Sequence, residues 1–128
     1  MLTFPYNTRE SPSAPYFTLQ IKPAQRPGPL VVCEAKLDSG ASVTVIPSDL
    51  VQQWQLPSDS AVHLRAYNGH VSRRPIYWVD FVIGSWHFPM VRVTATRRSN
   101  VLLGRNVLNQ MRIVHDGLQQ IVEIISRS

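Results

Sequence analysis

The 128-residue chain carries 13 Lys and Arg against 8 Asp and Glu, a net charge of +5, with 44% hydrophobic residues. That length allows one domain with a modest core, and the composition is globular rather than disordered. No apolar run reaches the roughly 18 residues of a membrane span, the start lacks a basic-then-apolar signal, and the one cysteine, Cys33, excludes an internal disulfide.

Six of the ten prolines precede residue 30, so residues 1–13 are expected to be an extended, weakly ordered lead-in to a domain over 14–128. Residues 16–21, YFTLQI, form the first credible strand, and 22–29 read as a loop with a turn at Pro27-Gly28. Strands are expected over 30–37 and 42–46, on either side of Asp38-Ser39-Gly40. A short helix follows, with Ser48 as N-cap and Leu50, Val51 and Trp54 on one face, ending near Leu56-Pro57. Residues 61–67 and 71–79 surround Asn68-Gly69, a strong hairpin signal. Further strands are expected over 80–83 and 87–95, joined at Gly84-Ser85, with a helix over 105–111 after Val101-Leu102-Leu103. A closing hairpin turns at Asp116-Gly117. The pattern is mostly β with one or two short helices, arranged as a barrel or sandwich.

Few residues invite chemistry. His63, His70, His87 and His115 show no metal-ligand spacing, and with one cysteine neither a metal site nor a cofactor is expected. Cys33, between Val32 and Glu34, reads as a strand thiol, and the single cysteine fits a reducing, cytoplasmic setting. The eleven Arg and two Lys are scattered without an aromatic-interleaved run, so neither nucleic acid nor membrane is expected as a partner. Asp49, Asp59 and Asp116 fall in a helix start, a loop and a turn, while Asp80 reads as pointing outward from an alternating strand. Asp38 differs, because apolar residues precede it and a tight Ser-Gly turn follows. A buried carboxylate is costly unless it is paired or used.

The stretch 37–47, LDSGASVTVIP, resembles the active-site loop of the retropepsins, the retroviral-type aspartic proteases. Residues 101–108, VLLGRNVL, are similar to that family's second marker, an apolar run ending in Leu-Gly-Arg-Asn that opens a helix. The resemblance covers roughly residues 16–125. It implies an all-β, retropepsin-like closed barrel, an acid-protease half-domain acting as a two-fold homodimer. Such an enzyme needs two carboxylates sharing a proton, and this chain has one Asp-Ser-Gly, so the second Asp38 would come from another copy.

The resemblance also distributes roles. Asp38 would be catalytic, with Ser39, Gly40 and Ala41 supporting it; Ser39 would reach the opposite loop across the two-fold axis. Leu103, Gly104, Arg105 and Asn106 would form the bracing motif. Where many retroviral members carry an aspartate that pairs with the motif's arginine, this chain has Ser42, so Arg105 must find another acceptor. Tyr67, Asn68, Gly69 and His70 fall where the family has its flap, a hairpin that closes over an extended peptide or protein substrate; Arg73 and Arg74 would then favour acidic segments. The terminal QQIVEIIS would interleave with the partner's chain ends. Two rivals stand beside an endopeptidase: a non-catalytic retropepsin-fold dimerisation or peptide-binding module, and a basic nucleic-acid-binding β-barrel.

Overall fold

Alternation of apolar and polar residues draws most of the chain into strands. The computed structural model describes residues 1–58, 60–65 and 68–127. The early strands are β1 (Leu2–Pro5), β2 (Tyr16–Pro23), β3 (Val31–Leu37) and β4 (Thr44–Pro47), followed by helix α1 (Ser48–Trp54). The later elements are β5 (Ser60–Arg65), β6 (Val71–Ile83), β7 (Trp86–Thr96), β8 (Val101–Leu103), helix α2 (Arg105–Leu108), β9 (Arg112–Asp116) and β10 (Ile121–Ser126).

Seven strands form one sheet in the order β2-β3-β8-β4-β7-β6-β5, and β2 also pairs with β6. That extra pairing, Lys22 opposite Asp80 among others, closes the first six into a barrel. Period-two alternation sends Phe17, Leu19 and Ile21 of β2 inward. They meet Ala35, Ile46, Phe81, Phe88, Val93 and Leu103 in one core, which α2 joins through Val107 and β10 through Val122 and Ile124. Each large side chain buried there contributes roughly 1.5–3 kcal/mol. The chain is all-β, with a retropepsin-like barrel. Two ladders are parallel, β3 with β8 and β4 with β7, and they bring segments far apart in sequence side by side.

Several local readings change. The lead-in is extended, but Leu2–Pro5 pairs with Ile121–Ile124 as a true strand, and Phe4 packs on Phe17 with ring centroids 5.1 Å apart. Prolines suggested a loose segment because the partner strand lies at the other end of the chain. The chain ends thus pair with each other, in a second sheet of order β1-β10-β9. Within the single chain, β10 lies between β1 and β9. Helix α1 begins one residue too early for a Ser48 cap: Pro47 holds the N-cap position at φ −60° and ψ 131°, with no side-chain cap bond. Helix α2 is a single turn, ending at the C-cap Asn109 rather than at Met111.

The outward reading of Asp80 fails. A register irregularity between Val79 and Phe81 breaks the alternation, and Asp80 is only 7% exposed. Its Oδ1 accepts from Met90 N at 2.9 Å, and Oδ2 lies 3.2 Å from Lys22 Nζ. Met90 itself has φ 54°, so the carboxylate pins a left-handed residue on β7. Cys33 is half-buried, and burial pushes its thiol pKa up. Among the described residues no helix is long and apolar enough to cross a membrane.

Candidate active site

Strand β3 delivers Asp38 to the end of a parallel ladder, where Asp38 N donates to Leu103 O at 2.9 Å. Three residues later the loop closes on itself, with Ala41 N donating to Asp38 O at 3.2 Å. Gly40 N donates to Asp38 Oδ1 at 2.9 Å, which orients the carboxylate from its own turn. Asp38 is half-buried, whereas Ser39 and Gly40 are exposed. Among the described residues no cation lies within ion-pair distance of Asp38. The carboxylate is therefore held by backbone, not neutralised by charge.

The second motif clamps this loop. Arg105 N donates to Ala41 O at 2.8 Å. Gly104 is buried against the same turn: a Cβ there would stand 2.7 Å from Val43 C and 2.9 Å from Val43 O. Only glycine permits that approach of backbone to backbone. Arg105 Nη1 donates to Ser39 O at 2.7 Å, so a main-chain carbonyl is the acceptor it finds with Ser42 in place of an aspartate.

Asn106 braces the loop from the other side. Its Nδ2 donates to Arg92 O at 2.8 Å, and its Oδ1 accepts from Thr44 N at 3.0 Å and from Thr44 Oγ1 at 2.8 Å. The main-chain partners leave only one amide orientation possible. Thr44 is fully buried, and its hydroxyl also accepts from Gly104 N at 3.0 Å. Thr44 was not singled out in the sequence, although its place two residues before the inward Ile46 was a usable signal.

The hairpin of β5 and β6 pairs residues 60–65 with 71–76 without a register shift. At its tip, His70 N donates to Asn68 Oδ1 at 3.0 Å, and Gly69 sits at φ 84°, a conformation that favours glycine. Tyr67 lies outside the described residues. The structure thus brings Asp38, Ser39, Gly40 and Ala41 against Leu103, Gly104, Arg105 and Asn106, while Asn68, Gly69 and His70 form a separate hairpin end. A cleft of about 570 Å³, lined by Arg26, Leu56, Trp78 and Met90 among others, includes none of the loop residues.

A six-stranded barrel with a carboxylate on a Gly-clamped loop is the architecture of an acid-protease half. Residues 31–110 match the family described as gag-polyprotein putative aspartyl protease, and the chain belongs to that family. No curated protein matches it. Among solved structures, it is similar to a retropepsin-like aspartic protease from Rickettsia conorii, with 15% identity over 96% of this chain and 88% of that one, TM-score 0.66. EIAV protease complexed with an inhibitor gives 16% identity over 83% and 92%, TM-score 0.60. Simian foamy virus protease gives 18% over 73% and 91%, TM-score 0.55. At these identities the structural likeness supports the retropepsin fold.

Proposed function

We propose that two copies of the chain assemble into an aspartic endopeptidase, each contributing one Asp38 to a shared site. The observation that carries this reading is the state of Asp38. It stands at the start of a loop braced from behind by Arg105 and Asn106, yet its carboxylate receives only its own turn's Gly40 N–H among the described hydrogen bonds. A fold that braces the loop and leaves the acid without a cation suits a second acid as its missing partner.

Two carboxylates about 3 Å apart cannot both ionise comfortably, so the pair holds one proton. The ionised Asp38 takes a proton from water as the water oxygen bonds to the scissile carbonyl carbon. The partner subunit's Asp38 gives its proton to the carbonyl oxygen. Collapse of the resulting diol breaks the C–N bond, and the amine leaves with a proton. Ser39 meets the opposite loop at the axis, Gly40 and Ala41 leave room beside the acid, and the Asn68-Gly69 hairpin covers an extended peptide. Within the single chain β10 is flanked on both sides, and strand β9, with Val114 45% exposed, offers the second copy an open edge.

Hydrolysis of a peptide library by wild-type protein and by Asp38→Asn tests the reading. Activity is expected in the wild type alone, with specific activity falling on dilution as dimers separate. Equal hydrolysis by the variant would overturn it.

A further inference from the structure

The β5–β6 hairpin carries a concentration of positive charge with no internal compensation. Residues 60–79 include three of the thirteen Lys and Arg and none of the eight Asp and Glu. Register places His63 opposite Arg73 and Arg65 opposite Val71. Side chains two apart on a strand share a face, so His63, Arg65 and Arg73 stand together, with Arg65 diagonal to Arg73.

Arg74 and Ser72 have the opposite parity on β6 and stand on the other face of the hairpin. His63, Arg65 and Arg73 are all exposed, so their shared face is open to solvent. Like charges set side by side on a sheet are unfavourable, and no described carboxylate lies within ion-pair distance of these three. The face lacks a counter-charge that an incoming anion can supply.

We infer that this exposed face of the hairpin is an exosite for acidic peptide segments, docking Asp or Glu side chains of the substrate at a distance from the bond cleaved. The inference rests on the endopeptidase reading for its purpose, not for its binding chemistry. Arginine forks match carboxylates in bidentate geometry. An extended peptide repeats same-side carboxylates at about 6.5–7 Å, the spacing of His63 and Arg65 along β5. Exposed Val71 lies on the same face and can pack against the carboxylate stems. A nucleic acid would favour a longer basic track interleaved with aromatic stacking platforms, whereas this face carries two arginines and one histidine over two short strands.

The test uses Asp38→Asn protein, so that binding is read without cleavage, and fluorescence anisotropy of a labelled Glu-rich peptide. The paired Arg65→Gln and Arg73→Gln change is expected to weaken binding roughly tenfold, about 1.4 kcal/mol. Arg74→Gln, on the opposite face, is expected to leave it unchanged, and a Gln-for-Glu peptide is expected to bind no better than the double variant binds the acidic one. Equal affinity for the two peptides, or equal loss from Arg74→Gln, would overturn the exosite. Tighter binding of a single-stranded oligonucleotide of equal charge would overturn it in favour of a nucleic-acid face. In otherwise wild-type protein, the double change should lower kcat/KM for an acidic-tailed substrate and spare a short neutral one; an equal fall for both would place the effect in the cleft and refute it. If the wild type cleaves neither, the endopeptidase reading fails, and the anisotropy arms still decide the exosite.

Discussion

Replacing Thr44 with valine tests whether the two motifs are held together by one buried hydroxyl. Valine keeps the volume and the β-branched shape, so no cavity forms. It removes an oxygen that donates to Asn106 Oδ1 at 2.8 Å and accepts from Gly104 N at 3.0 Å. Gly104 N–H is then buried without its partner, at about 1–3 kcal/mol, and the lost donation adds about 0.5–1.5 kcal/mol. Asn106 Oδ1 keeps the Thr44 backbone N–H at 3.0 Å, which limits the loss. The expected total is about 2–4 kcal/mol. Thr44→Ser keeps both bonds and gives up a buried methyl, about 1 kcal/mol. The order of stability should be wild type, serine, valine, with midpoints separated by about 4 °C per kcal/mol for a chain of this size. Thermal unfolding followed by circular dichroism, at one protein concentration because self-association of the folded chain would shift its stability, reads the order. A valine variant as stable as the serine variant would refute the hydroxyl latch.

Two further expectations follow from charged groups away from the loop. Glu10 accepts from Lys36 Nζ at 2.6 Å and from the Tyr16 hydroxyl, and these bonds, Lys36 first, lower its pKa from 4.5. A depressed folded pKa means stability that is present above 4.5 and lost as pH falls through the folded value. Glu10→Gln should therefore melt below the wild type at neutral pH, with the gap closing in acid; a gap that widens in acid would contradict the sign. Asp80→Ala strands Met90 N–H and unpairs Lys22, at about 3 kcal/mol in urea unfolding, whereas Asp80→Asn keeps an acceptor and should lose less. Equal losses would show that only the charge matters.

What the sequence reveals about this fold depends on how far apart the partners lie. Asp38-Ser39-Gly40 and Leu103-Gly104-Arg105-Asn106 are each local patterns, legible as written. Their contacts are not local: Thr44 and Asn106 are 62 residues apart, and Gly104 reaches Thr44 across 60. Only the parallel pairing of β3 with β8 brings them together, and no periodicity within either strand announces it. Asp80 was misread for a related reason, since alternation fixes a side chain's direction only while the register is unbroken. Strand β1 was hidden because its partner, β10, begins at Ile121.

The acceptors in the latch explain why Ser42 is compatible with this loop. Arg105 binds Ser39 O and, through its backbone, Ala41 O; Asn106 binds Arg92 O; Asp38 N binds Leu103 O. Every one of these acceptors is a main-chain carbonyl, present whatever side chain stands there. A guanidinium satisfied by a carbonyl avoids the cost of desolvating a second charge. It also needs no acid at position 42, which is exposed. The side chains that must be specific are those that donate to or bridge the backbone, Arg105, Asn106 and Thr44, together with Gly104, which must have none. The geometry that holds Asp38 is thus shared between its own turn, through Gly40 N and Ala41 N, and the opposing segment, through Gly104, Arg105 and Asn106.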